Sequence, residues 1–379
     1  MTSTAVDSLG FSAERQRLAR ELFSTRFRLG VFRSAAFGIA VLVFLFSGGS
    51  AALRDWAGDG PLWTVFAYFS ILYLALWLAG LPFSVVGYRL DVRYGLSRQT
   101  WRGWAFDDAK SLAVGYGFTL AALEVLYWLL REFPAVWWLI VWLLGLVVSL
   151  LASVVAPVLF VRIFYKSNRM ENPELESRIR VLAERAGIRV LGVHIIQSSA
   201  KSSRSNAALA GAGRTRRIIV TDTLVKTHTT DEVETILAHE LAHQKHRDST
   251  VGFATFVATS LIVLAVLGAV LPWATSVLGL RGIADIAGLP VLMLATGTLS
   301  LVLEPAERAL SRSREARADR TALVLTGKPE AFASAMVKLH DDNLSLARPP
   351  RFIEFFMMTH PAAWRRVTAA RAFTGQVLK

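Results

Sequence analysis

Long apolar blocks dominate the pattern of hydrophobic and polar positions along this chain. A transmembrane helix needs roughly 20 mainly apolar residues to cross a hydrocarbon core of about 30 Å. Six blocks have such a length: residues 34–53, 60–88, 111–130, 133–161, 249–280 and 286–303. Only the third block contains a charged residue, Glu124. The pattern predicts six membrane-spanning helices, and a carboxylate within a span is a candidate functional residue.

Two polar segments, 162–248 and 304–379, lie outside these blocks. In the first segment, Pro173 followed by apolar residues at helical spacing predicts an amphipathic helix with proline in its first turn. Residues 190–197 and 216–221 are rich in β-branched side chains, which is typical of strands. The predicted fold class is therefore mainly α: a polytopic helical membrane protein of about six spans with a small α+β domain.

The distribution of cations predicts the orientation in the membrane. Arginines are concentrated in the leader before the first block and between the second and third blocks: Arg15, Arg17, Arg20, Arg26, Arg28, Arg89, Arg93, Arg98 and Arg102. The first and third connections carry one arginine each, Arg54 and Arg131. The positive-inside rule therefore places both termini and the 162–248 segment in the cytoplasm.

The composition excludes several kinds of chemistry. Cysteine is absent, so the chain has no disulfide, no thiolate nucleophile and no cysteine metal ligand. The net charge is +13, from 42 Lys and Arg against 29 Asp and Glu. No nucleic-acid recognition motif accompanies this charge, and cationic membrane loops account for it. We therefore predict the lipid bilayer, and no nucleic acid, as a partner.

The motif His-Glu-x-x-His occurs in the first polar segment. His239 and His243 are four residues apart in a predicted helix, so both imidazoles lie on one face and can reach one metal ion. Glu240, next to His239, is placed to take a proton from a metal-bound water. The alternative interpretation is a solvated helix face with two chance histidines.

A catalytic zinc takes three protein ligands and keeps one open position. Glu315 and Asp319, four residues apart in the last polar segment, are candidates for the third ligand. One carboxylate can bind the metal while the other accepts the N–H of a ligand imidazole. The alternative is an ordinary ion-pair face, because arginines surround both carboxylates.

Several motifs together resemble the CAAX prenyl protease 1 family, which shares its gluzincin core with the HtpX-type membrane proteases. The resemblance covers most of the chain. Its motifs are the HELAH helix, Ser311-Arg312 with Glu315, Ala318 and Asp319, Ser205-Asn206-Ala207, Thr221-Asp222-Thr223-Leu224, Leu81-Pro82-Phe83-Ser84, Tyr94-Gly95-Leu96-Ser97-Arg98-Gln99-Thr100 and Ala156-Pro157-Val158-Leu159-Phe160. The last three lie in the membrane region and favour the CAAX branch over HtpX.

The resemblance implies a role for each matched residue. Glu315 is the third zinc ligand, beside His239 and His243, and Asp319 orients His239. Asn206 borders the cleft, where an extended substrate adds as a strand. His360 and Arg366 match the family's C-terminal element, which points both side chains into the site, where either can stabilise the oxyanion.

The chain also departs from the family pattern. Ala208 stands where the family usually has tyrosine, Met357 replaces a histidine, and six spans are predicted where the family has seven. These differences bear on the range of substrates and leave the zinc chemistry unchanged.

The predicted function is a membrane-embedded zinc metalloendopeptidase that binds one Zn²⁺ per chain and acts on a peptide or protein at the cytoplasmic face. The chain is predicted to divide into four parts. Residues 1–161 form a membrane region of four spans, and residues 162–248 form a peptidase segment with the HELAH helix. Residues 249–303 form two further spans, and residues 304–379 form a C-terminal segment with the third ligand.

Two alternatives remain open at this stage. The 34 arginines against 8 lysines are typical of a GC-rich, bacterial genome, where prenylated CAAX substrates are scarce. Quality control of membrane or misfolded proteins, as in HtpX, is therefore an alternative within the protease class. A non-catalytic zinc-binding scaffold or transporter is the alternative from another class, although such a protein has no need of Glu240.

Overall fold

The computed structural model describes residues 6–164, 167–170, 172–210 and 217–374. The helices in these ranges are α1 (Ala13–Phe46), α2 (Gly49–Ala57), α3 (Trp63–Arg93), α4 (Trp101–Glu132), α5 (Trp137–Phe164), α6 (Pro173–Ala186), α7 (Asp222–Thr227), α8 (Thr230–Lys245), α9 (Asp248–Val277), α10 (Leu289–Thr326), α11 (Pro329–Asp342), α12 (Arg351–Met357) and α13 (Ala363–Arg371). The mainly helical membrane fold predicted from the sequence is thus confirmed.

Among the described residues, five helices are long and apolar enough to cross a membrane: α1, α3, α4, α9 and α10 with the turn before it. The predicted block 133–161 lies on α5, whose apolar part Trp137–Ser153 is shorter than these five. The sixth span therefore stays a prediction. The predicted boundary between the last span and the C-terminal segment, at residues 303–304, lies inside helix α10.

The predicted end of the first span, at residue 53, is wrong. Helix α1 ends at Phe46, and Gly48 then adopts a left-handed backbone with φ of +79° before the short helix α2 begins. Glycine adopts this conformation without the steric cost that a Cβ would bring. The apolar residues after Gly48 therefore belong to a separate short helix, which packs against α3 and against the turn Ile286–Gly288 that precedes α10.

Many large apolar side chains of the long helices are exposed, as expected for surfaces that face lipid. Where these helices meet, Tyr68, Tyr127 and Trp137 form the centre of a buried apolar cluster. At the end of the bundle bearing the first connection, Arg54 Nη1 donates to Asp285 Oδ2 over 2.5 Å. The α1–α3 connection is thereby joined to the α9–α10 connection.

The predicted α+β domain contains a four-stranded sheet in the order β1-β2-β4-β3. Its strands are β1 (Ser167–Arg169), β2 (Val193–Ile196), β3 (Ala207–Ala210) and β4 (Arg217–Thr221). Strands β2 and β4 are parallel, and the two edge strands are antiparallel to their neighbours. The two predicted strands correspond to β2 and β4, and β3 forms one edge of the sheet.

The core of this domain lies between the sheet and helices α6, α8, α11 and α13. Ile179 of α6, Ile218 of β4, Leu237 of α8 and Phe332 of α11 are all fully buried there. Helix α6 begins as predicted, with Pro173 in its first turn and Asn172 as the N-cap. This core fixes α8 on the sheet.

The membrane helices hold the loop before β3. Arg98, in the α3–α4 loop, donates its backbone N–H to Lys201 O over 2.9 Å. Asp91, near the end of α3, pairs with Arg26 of α1 and with Arg204, which lies two residues before Asn206. The α3–α4 loop therefore anchors the segment that leads into the edge strand.

Candidate metal centre

Helix α8 carries the His-Glu-x-x-His motif, and its first turn is fixed by a capping box. The Thr229 hydroxyl accepts from the N–H of Glu232, and the Glu232 carboxylate accepts from the N–H of Thr229. The same carboxylate accepts hydrogen bonds from Ser334 at 2.6 Å and from Lys338 at 2.8 Å, both on α11. These contacts fix the helix that presents His239.

Helix α10 crosses α8 and brings the two predicted carboxylates to the histidines. Ala238 of α8 and Ala318 of α10, the neighbours of His239 and Asp319 in sequence, are fully buried where the helices pack. Glu315 and Asp319, each 8% exposed, lie on the same side of α10 as the contact. The two halves of the predicted site, 72 residues apart in sequence between His243 and Glu315, thus come together.

Donor atoms of three side chains converge on one point. His239 Nε2 lies 3.1 Å from His243 Nε2 and 3.2 Å from Glu315 Oε2, and His243 Nε2 lies 3.5 Å from Glu315 Oε1. A tetrahedral ion with bonds of 2.0–2.1 Å would separate its ligand atoms by about 3.3 Å. The spacing of the three side chains therefore fits one such ion, and two imidazoles with one carboxylate form a donor set that can hold a metal.

Two further carboxylates orient the histidines. The Nδ1 of His239 lies 2.8 Å from Asp319 Oδ1, and the Nδ1 of His243 lies 2.8 Å from Asp248 Oδ2. A carboxylate at Nδ1 holds the proton there, which leaves the lone pair of Nε2 for a metal. Asp319 is the residue predicted beside His239, whereas Asp248 beside His243 was not predicted from the sequence.

Arg366 contacts Asp319 rather than the donor atoms. Its Nε donates to Oδ2 over 2.7 Å and its Nη2 to Oδ1 over 2.6 Å, a buried bidentate pair. Arg366 thus lies close to the site, as predicted, but two of its nitrogens hold the carboxylate that faces His239. This geometry favours a positioning role for Arg366 over the predicted contact with an oxyanion.

His360 also reaches the cluster, from the segment between α12 and α13. Its Nδ1 lies 2.7 Å from Glu315 Oε2, and its side chain is 52% exposed. The predicted pair is thereby separated in the structure: His360 is an open group beside Glu315, and Arg366 is buried behind Asp319.

The electrostatics of the site favour positive charge at the donor cluster. Burial lowers the pKa of His239, but its contacts with Asp319 and Glu315 outweigh burial and raise that pKa to about 9. Burial raises the pKa of Glu240, and the nearby His239 and His243 oppose this only in part. The carboxylates thus create a potential that suits a cation, next to a carboxyl group with increased proton affinity.

Asn206 lies beside the edge strand β3. Its backbone N–H donates to Thr221 Oγ1 over 2.9 Å, and its side-chain oxygen accepts from the N–H of Ala207. Strand β3 starts at the next residue, packs near α8 and pairs with β4 on one side only. Its other edge has no partner strand among the described residues.

Comparisons with known proteins identify this arrangement. Residues 169–374 match the model of peptidase family M48, and residues 11–166 match that of the CAAX prenyl protease N-terminal region, described with five membrane helices. The chain belongs to peptidase family M48 and is a metalloprotease with a membrane-helix region. The predicted resemblance is confirmed, although four long helices, α1, α3, α4 and α5, occupy the described part of 11–166.

Individual relatives agree with this assignment. The uncharacterized metalloprotease YhfN of Bacillus subtilis is 32% identical over 86% of this chain and 79% of its own length. The probable CAAX prenyl protease 1 of Schizosaccharomyces pombe is 28% identical over 77% of this chain, which spans 62% of that relative. HtpX homologues also match, over about half of the chain. The crystal structure of S. mikatae Ste24p has the same fold, with a TM-score of 0.87 at 22% identity, covering 97% of this chain and 92% of Ste24p.

Proposed function

We propose that this metalloprotease is a zinc endopeptidase of the CAAX protease type, with its active site at the cytoplasmic face of a bacterial membrane. His239, His243 and Glu315 would hold the zinc. The observation that carries the proposal is the convergence of donor atoms from these three side chains, whose closest contacts are 3.1–3.5 Å, with Glu240 beside them. A scaffold or transporter would not require that carboxylate.

The residues of the chain divide the work of peptide hydrolysis. When bound, the zinc supplies Lewis acidity for attack on the scissile carbonyl. Glu240 takes the proton of the attacking water and donates it to the leaving amide nitrogen. Asp319 and Asp248 keep the Nε2 atoms directed at the metal, and the half-exposed His360 is the side-chain donor available to the developing oxyanion.

The substrate we propose is an extended peptide of a membrane-associated protein. The edge of β3 that pairs with no described strand begins beside Asn206 and offers backbone groups to which such a peptide can add as a strand. Cleavage near a C terminus, as the names of the CAAX prenyl protease relatives suggest, is the preferred reading because the N-terminal membrane region matches that family. Quality control of membrane proteins is the second candidate, favoured by the HtpX homologues among the relatives.

The substitution Glu240→Gln tests this function. Glutamine preserves the shape of the side chain but cannot accept a proton, so peptide cleavage should fall by about 10²-fold or more. Glu234→Gln is the matched control, because Glu234 lies on the same helix and pairs with Lys328, away from the site. Cleavage sites in a peptide library are counted for the purified proteins, together with their zinc content.

We expect Glu240→Gln to retain zinc and lose cleavage, and Glu234→Gln to retain both. Cleavage by Glu240→Gln within about threefold of wild type would reject Glu240 as the base.

A further inference from the structure

Helix α12 presents an aromatic face to the outside. Phe352, Phe355 and Phe356 are spaced three and four residues apart, which places them on one side of the helix. They are 61%, 49% and 40% exposed. Three phenylalanines grouped on a short exposed helix form an apolar patch of the kind that marks a binding surface.

The opposite side of α12 is firmly attached, so this exposure is a fixed feature of the fold. Ile353 is buried, and the Glu354 carboxylate accepts from the N–H of Ala362 over 3.2 Å. The rings also support one another, since Phe356 lies 4.6 Å from Phe352 and 4.8 Å from Phe355 between ring centroids.

Two arginines of α10 hold α12 at a defined place. Arg308 Nη1 donates to Met357 O over 2.8 Å, and Arg312 Nη1 donates to Glu354 O over 2.9 Å and to Met358 O over 2.8 Å. Both arginines therefore satisfy carbonyl groups at the end of α12.

These arginines lie on the side of α10 that carries the candidate metal ligand. Arg308, Arg312, Glu315 and Asp319 follow at intervals of four, three and four residues, so they line one face of the helix. Arg308 precedes Glu315 by seven residues, about 10 Å along the axis toward the membrane end of α10. His360, three residues after α12, contacts Glu315 itself. Helix α12 is therefore attached to α10 within about two helical turns of Glu315 and leads directly to His360.

We propose that Phe352, Phe355 and Phe356 form a subsite that binds an apolar part of the substrate beside the scissile bond. The proposal rests on the proposed function, because it needs a peptide at the metal centre. The occupant we infer is substrate rather than bilayer lipid, because α12 lies on the face of α10 that carries Glu315 and continues directly to His360. Apolar contacts of this kind discriminate between substrates by about 10–200-fold.

Kinetics with paired peptides test the subsite. The peptides share one mapped cleavage site and differ by leucine against glutamine at a single flanking position. For the double variant Phe352→Ser with Phe356→Ser, kcat/KM for the leucine peptide should fall about 10-fold or more, mainly through KM, while the glutamine peptide is unaffected. Leu191→Ser, at a 59% exposed position outside the site, is the control and should change neither value. Equal losses for both peptides, or none, would overturn the proposal.

Binding separates a failure of the subsite from a failure of the proposed function. Peptide affinity is measured by fluorescence anisotropy on zinc-loaded Glu240→Gln, with and without the two phenylalanine substitutions. Preference for the leucine peptide that disappears with the substitutions supports the subsite, and absence of any preference overturns it. A wild-type protein that cleaves no peptide would instead reject the proposed function.

A lipid occupant is tested with a probe at Phe356→Cys. The chain has no cysteine, so a single environment-sensitive fluorophore can be attached there in nanodiscs. We expect the leucine peptide to shift its emission and spin-labelled lipids to leave it unquenched. Quenching by those lipids without an effect of the peptide would assign the face to the bilayer and overturn the proposal.

Discussion

Two carboxylates outside the donor cluster determine how its histidines point. Asp319 could be predicted because it follows Glu315 by one helical turn and completes a recognised motif. Asp248 could not, because its position depends on Arg247, which adopts a left-handed backbone with φ of +55° between α8 and α9. That turn brings the first residue of α9 back to His243, and local patterns do not predict a positive φ at arginine.

At the residue scale, we expect Asp248 to strengthen the binding of zinc. In Asp248→Asn the charge facing the Nδ1 of His243 is lost, so zinc affinity should fall by about 10–100-fold. Affinity is measured by competition with a chromophoric chelator. Asp231→Asn is the control, since Asp231 lies at the exposed start of α8 and pairs with Lys328 and Arg178. Equal affinities for the two variants would show that Asp248 does not support the metal site.

At the same scale, tertiary packing determines which groups Arg366 and His360 contact. The family resemblance implies that both side chains enter the site, and the structure brings both close to it. Which group each side chain meets depends on the packing of α13 against α10 and α11, and this packing is not encoded in the spacing. The guanidinium consequently lies against Asp319, while His360 meets Glu315.

At the scale of elements, helices and strands with strong local sequence signals are predicted correctly, whereas those with weak signals are not. Helix α8 has a capping box and a regular apolar pattern, and the two parallel strands are rich in β-branched residues. Strand β1 has only three residues, Ser167–Arg169, all exposed, and exists through pairing with β2. The end of α1 was misplaced because hydropathy continues past Gly48, whereas the backbone turns there.

The contact between α8 and α10 is the element-scale feature on which the site depends. Each helix was predicted separately, from its own motif, and the family resemblance joined them. The structure adds the physical reason: α10 packs against α8, so the histidines of one helix reach the carboxylates of the other.

At the scale of the whole molecule, the proposed orientation places the metal centre in the cytoplasm and α2 outside. Leu191, 59% exposed beside the sheet, and Trp56, 70% exposed on α2, report the two sides. Because the chain has no cysteine, Leu191→Cys and Trp56→Cys each give one label site. A membrane-impermeant maleimide should label Trp56→Cys in intact cells and Leu191→Cys only after lysis. The reverse pattern would invert the orientation.

The central claim, that this protein is a zinc peptidase whose metal is held jointly by α8 and α10, is tested most directly by the zinc content of Glu315→Ala. Content is measured by atomic spectroscopy after mild dialysis against a chelator, beside wild type and Asp319→Ala. We expect about one zinc per chain in wild type, retention with about 10–100-fold weaker affinity in Asp319→Ala, and loss of most zinc in Glu315→Ala. Stoichiometric zinc in Glu315→Ala would contradict the joint binding of zinc by α8 and α10, because the third ligand would then lie elsewhere.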